Sequence, residues 1–157
     1  MRQLTIWSSV VLGACAFACA GKTFVRADPP IATQGISIAL VDETCALDSD
    51  PEQGGTFVLD LGITLRVTDG AGAPISFHPD RARLVFAGRE TLSDDRPEAI
   101  GVGVGSKKNL RVHFVQKGKD VGCNNLMSLA LDKAVELGGK PLTLAPMAFQ
   151  PSNSPDS

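Results

Sequence analysis

Phe57, Leu59, Leu61, Ile63, Leu65 and Val67 alternate without a break with Val58, Asp60, Gly62, Thr64 and Arg66. Apolar residues at a sustained spacing of two place one side of an extended chain in a core and leave the other side to polar groups. A helix would spread the same residues around its axis, so this segment reads as a long, half-buried β-strand. Gly62 is the place where such a strand can bend or bulge.

The same period recurs along the chain. Ile36, Ile38 and Leu40 precede the long strand; Ile75 and Phe77, then Ala82, Leu84 and Phe86, follow it on either side of His78-Pro79-Asp80. Ile100, Val102 and Val104 alternate with glycines, and Leu110, Val112 and Phe114 make a clear strand with Arg111 and His113 on its other face. Met127, Leu129 and Leu131, then Leu142 and Leu144, then Met147 and Phe149 complete the series. Asp69-Gly70-Ala71-Gly72-Ala73-Pro74 is a turn by composition, and residues 91–98 form a polar loop. Residues 132–137 fit a short helical turn closed by Gly138-Gly139. The sum is an all-β chain, an antiparallel sandwich of about seven or eight short strands forming one domain over residues 35–150. The pattern resembles the immunoglobulin-like domains of lipoproteins, and the resemblance implies architecture only. The core Trp and the tyrosine of antibody-type domains have no counterpart, because the chain has no Tyr and its one Trp is Trp7.

The N-terminus has a different character. Arg2 is the only charge before Lys22, and residues 4–19 are apolar or small. That run is shorter than the roughly 20 residues a membrane-spanning helix needs. With its positive start it reads as a signal peptide. It contains Leu12-Gly13-Ala14-Cys15, an aliphatic residue and two small ones before a cysteine, which resembles the lipobox of bacterial lipoproteins. The resemblance implies removal of residues 1–14 and lipidation of Cys15, with a diacylglycerol on sulfur and a third, palmitate-class acyl chain on the new N-terminus. Two or three chains anchor a protein durably where one binds reversibly. Ala16, where a retained inner-membrane lipoprotein tends to have Asp, implies the outer membrane, facing the periplasm. Cys19, behind Ala16-Phe17-Ala18, is a second candidate. The small-x-small patterns at 16–18 and 18–20 leave plain secretion open. Residues 15–34, with Asp28-Pro29-Pro30, read as the lipidated N-terminus and a flexible tether, and 151–157 as a disordered tail.

Export makes the remaining cysteines informative. Cys45 and Cys123 are the only two in the domain, and an isolated pair in an oxidising compartment reads as a disulfide. Two unrelated buried thiols are the alternative. Neither cysteine has a Cys or His two to four residues away, as compact zinc sites need. Loss of residues 1–14 removes Arg2 and leaves 14 basic against 17 acidic residues, a net charge of −3. Without a basic stripe, nucleic acid is not an expected partner. The expected partners are the membrane, through the covalent lipid, and another envelope protein.

The remaining candidate sites are weaker than the motifs they suggest. Asp48-Ser49-Asp50-Pro51-Glu52-Gln53-Gly54 opens like a calcium loop, with Asp42 and Glu43 nearby. Its twelfth position, however, is Leu59 inside the best strand, where an EF-hand needs Glu. Gly101-Val102-Gly103-Val104-Gly105-Ser106-Lys107 lacks the P-loop spacing and precedes a strand, so it reads as a turn. His78 and His113 are the only histidines, and a copper site with Met127 and Met147 lacks the tight His–Met spacing of known copper carriers. No catalytic residues, metal ligands or cofactor are expected. The function expected is that of a lipid-anchored envelope lipoprotein whose sandwich binds or serves structure. A metal-carrier domain, and behind it a periplasmic enzyme, are the alternatives.

Overall fold

The computed structural model describes residues 26–48, 55–117 and 123–151. In chain order its strands are β1 (Arg26–Ala27), β2 (Ile31–Thr33), β3 (Ile36–Asp48), β4 (Thr56–Val67), β5 (Ile75–Phe77), β6 (Arg83–Phe86), β7 (Arg89–Leu92), β8 (Ile100–Val102), β9 (Lys107–Lys117), β10 (Met127–Ala130), β11 (Val135–Leu137), β12 (Lys140–Pro141) and β13 (Met147–Gln150). They pair antiparallel in three sheets, ordered β2-β3-β4-β9, β1-β13-β10-β6-β7 and β12-β11-β5-β8. The fold is an all-β antiparallel sandwich.

The last two sheets are one layer interrupted midway. The chain passes from β5 to β6 and from β10 to β11, and each pair is matched to the other. Phe77 lies opposite Val135 and Arg83 opposite Ala130, so the register slips by a single residue across the break. A hydrogen bond from His78 N–H to the Ala134 carbonyl, 2.7 Å, carries the ladder into the gap. β7 and β8 continue one another in the same way along β6 and β5, as do β13 and β12 along β10 and β11. The sandwich therefore has a first layer with three long unbroken strands and a second layer in which four strands are each cut in two. Counted as continuous runs, the thirteen segments reduce to nine, against the seven or eight expected from periodicity.

The long strand is as the alternation demands: Phe57, Leu59, Leu61, Ile63, Leu65 and Val67 are each at most 1% exposed. Phe77, Phe114 and Phe149, from three further strands, are likewise fully buried. Three hairpins turn on two residues with both φ angles positive, Gln34-Gly35, Ala87-Gly88 and Gly138-Gly139. That is the type I′ geometry whose twist matches the flanking strands. A bulge at Val41 lies opposite Gly62: Leu40 pairs with Ile63, but Asp42 with Gly62. The extra residue reverses which side chains of β3 face inward, so Ile36 and Ile38 are followed on the core face by Glu43 and Cys45.

Cys45, on β3, is disulfide-bonded to Cys123, just before β10, with Cα atoms 5.8 Å apart. The bond ties the two layers together along one flank. Two expectations need correction. The stretch read as tether ends earlier, since within 15–34 the described residues form β1 and β2 on either side of Asp28-Pro29-Pro30. Pieces of two and three residues are too short to show a period, and the prolines switch the chain from one layer to the other. Residues 132–137 are a turn and strand β11 rather than a helical turn, because Val135 finds a partner in Phe77. Cys15, Cys19 and the tail beyond 151 lie outside the described residues.

Candidate functional site

The interruption of the second layer gathers charge. Pro79 has no N–H to give to a ladder and starts a 3₁₀ turn, Pro79–Arg81. Across from it, residues 131–134 turn before β11. Pro79, Ala82, Leu131 and Ala134 are buried beneath the break, which leaves the polar residues between them to face outward.

Arg83 is the centre of the cluster. Its Nη1 donates to both carboxylate oxygens of Glu90, at 2.9 and 2.8 Å, and its Nη2 donates to Asp132. Val85 lies directly opposite Glu90 and Leu92 directly opposite Arg83, so the Arg83–Glu90 pair is a diagonal across the hairpin. The hydrogen bonds to Glu90, and next those to Asp132, hold the guanidinium's pKa above its ordinary value. Beside it, Arg81 Nη1 donates to Glu136 Oε1 at 2.8 Å, and His78 Nε2 stands 3.5 Å from Glu136 Oε2. An open cleft of about 560 Å³ lies over this network, lined by Asp80, Arg81, Arg83, Glu90, Leu92 and Lys133. Among the described residues no ion pair engages Lys133. Leu92 is 62% exposed at the cleft.

The outer face of the first layer carries a second ladder. Arg111 Nη2 lies 3.0 Å from Asp42 Oδ1, and Arg111 Nη1 lies 3.9 Å from Asp60. His113 Nδ1 is 3.7 Å from Asp60. Gly62 permits this arrangement, since a Cβ there would stand 2.3 Å from Asp42 Oδ1. The polar loop after β7 covers the outer edge of β9. Asp94 N–H donates to the His113 carbonyl at 2.8 Å, and the Asp95 carboxylate accepts from His113 N–H at 2.9 Å.

The candidates read from sequence are dispersed by the fold. Asp42 and Glu43 are neighbours on a strand and so face opposite ways, Asp42 to Arg111 and Glu43 into the core at 4% exposure. Residues 49–54, the rest of that acidic loop, lie outside the described residues. His78 sits in the second layer and His113 in the first. Met127 and Met147 are core residues at 1% exposure. The glycine-rich 101–107 segment ends β8, turns and begins β9, as a turn between strands. The Arg83 cluster was missed in the sequence because its members are scattered between positions 78 and 136. The usable signal was local: a turn at Ala87-Gly88 brings Glu90 diagonally across from Arg83.

No known family model, curated protein or solved structure matches this chain.

Proposed function

We propose that the chain is a lipid-anchored protein of the bacterial cell envelope, held through Cys15, whose sandwich acts by binding. The contact surface is the charged cleft of the second layer. The resemblance to bacterial lipoproteins, with Ala16 after the cysteine, supports an outer-membrane position facing the periplasm.

One observation carries the binding role. The cleft's arginines are already fixed by their own carboxylates, while Lys133 and Leu92 stand at its surface. Groups held in place before contact lose little freedom on binding. An ammonium and an apolar side chain side by side suit a partner with a carboxylate next to an apolar group. The arginines are occupied by acids, and His78 Nε2 stands 3.5 Å from Glu136 without a hydrogen bond, so the cluster reads as a recognition surface.

Two experiments test the two halves of the reading. Cys15→Ala should abolish incorporation of labelled fatty acid and release the protein from membranes. Label that survives there and vanishes in Cys19→Ala moves the anchor, and label surviving both refutes it. The processed protein should show neither tyrosine nor tryptophan emission, because Trp7 leaves with the signal. For the cleft, a photo-crosslinking residue at Lys133 should give a discrete adduct in intact cells that disappears on Leu92→Asp. The absence of any adduct from Lys133 or Leu92 would sink the cleft as a contact surface.

A further inference from the structure

We propose that the outer edge of β3, from the Val41 bulge to Leu47, is a strand-addition site for an extended, basic segment of another protein. The inference goes beyond the binding role above and uses neither the cleft nor the anchor.

β3 is 13 residues long, but β2 pairs only with its first part, Ile36 to Ile38. Immediately before β2 the chain turns at Pro29-Pro30, and Asp28 N–H donates to the Ala148 carbonyl of the other layer at 2.8 Å. Prolines therefore direct the N-terminal strand away from β3. Among the described residues no strand lies beside β3 beyond Ile38 on the side away from β4. The opposite edge of this layer is treated differently, since Asp94 and Asp95 occupy the backbone of β9 at His113. An uncovered edge is a template for another strand.

The side chains along this flank fit a partner. Val41 is 45% exposed and Leu47 49%, and Thr44 and Ala46 are exposed between them. Among the described residues, two of the five large exposed apolar side chains thus lie on this edge. Glu43, buried and engaged in its own interaction, is not part of the surface.

Charge selects the occupant. Between Arg26 and Arg66 the sequence has no Lys, Arg or His, and besides the buried Glu43 it has Asp28, Asp42, Asp48, Asp50, Glu52 and Asp60, against which, among the described residues, Arg111 is set beside Asp42 and Asp60. Two copies meeting edge to edge would bring acidic segments together. A segment with Lys or Arg beside β-branched residues meets the opposite charge and lays apolar groups on Val41 and Leu47. The bulge and the inward acid work against indiscriminate pairing, so charge decides what is admitted.

The test uses the full processed chain and two synthetic peptides, Lys-Thr-Val-Lys-Val-Thr-Lys and the same peptide with Glu for each Lys. Amide hydrogen exchange is followed residue by residue. The Lys peptide should slow exchange within 41–47 by about tenfold at saturation, while the Glu peptide leaves it unchanged. Val41→Lys with Leu47→Lys should remove that protection without lowering the melting temperature, since both side chains are largely exposed. Equal effects of the two peptides, or no protection by either, would overturn the proposal. Protection of 41–47 that rises with protein concentration in the absence of peptide, together with dimers in sedimentation, would make the occupant a second copy and also overturn it.

Discussion

The two layers of this sandwich are built from similar residues to different ends. β3, β4 and β9 run unbroken for 13, 12 and 11 residues, whereas four runs of the second layer are cut into segments of two to four. In the first layer nothing stops the alternation among the described residues, and one bulge, answered by Gly62, is the irregularity there. In the second, Pro79 on one strand and the 131–134 turn on its neighbour stop the ladder at the same height. The unbroken layer presents short cross-strand ion pairs and a covered edge at β9. The broken layer opens a cleft and draws charged groups from five segments into it. Regularity secures the core, and interruption creates places where side chains can meet a partner.

The disulfide joins the layers, so removing it should have the largest effect. Cys45→Ala with Cys123→Ala frees a 78-residue loop, worth at most about 4.5 kcal/mol by chain entropy. For a domain of this size that is a fall in melting temperature of about 10 °C or more, readable by scanning calorimetry. An unchanged melting temperature would show that packing alone holds the layers.

Two hairpin glycines give the next contrast. Gly35 has φ +74° and its Cβ would stand 2.4 Å from the Ala71 backbone nitrogen, whereas Gly139, φ +81°, has nothing within 4 Å. Left-handed strain alone costs about 1–2 kcal/mol, and a backbone clash adds about 1–3 kcal/mol. Gly35→Ala should therefore lose clearly more stability in urea than Gly139→Ala. Equal losses would mean that the first layer relaxes as readily as the second.

Within the cleft, Arg83→Met leaves Glu90 and Asp132 facing each other and should cost about 1–3 kcal/mol. Arg81→Met removes a pair from a side chain 46% exposed and should cost less than about 1 kcal/mol. If the two are equal, Arg83 does not organise the cluster. The smallest effect is expected on the first layer's outer face. Gly62→Ala displaces the Asp42 carboxylate from Arg111, a partly exposed pair worth about 0–1 kcal/mol. A large loss there would place the outer ladder among the main supports of the fold.

Local chemistry was sufficient for much of this protein. The inward side of β4 follows from a two-residue period, because successive side chains on a strand must face opposite ways. The all-β class follows from repetition of that period, the break at His78-Pro79-Asp80 from a residue that cannot join a ladder, and the Cys45–Cys123 bond from there being just two cysteines beyond residue 19. Only tertiary structure decided that the short segments are halves of longer strands, since a ladder is a relation between residues as far apart as Phe77 and Val135. The same holds for Arg83, whose partners at 90 and 132 approach it only once three strands have set their register. Glu43 makes the point most sharply: the period of β3 sends it outward, and one extra residue at Val41, tolerated because Gly62 has no side chain, turns it into the core.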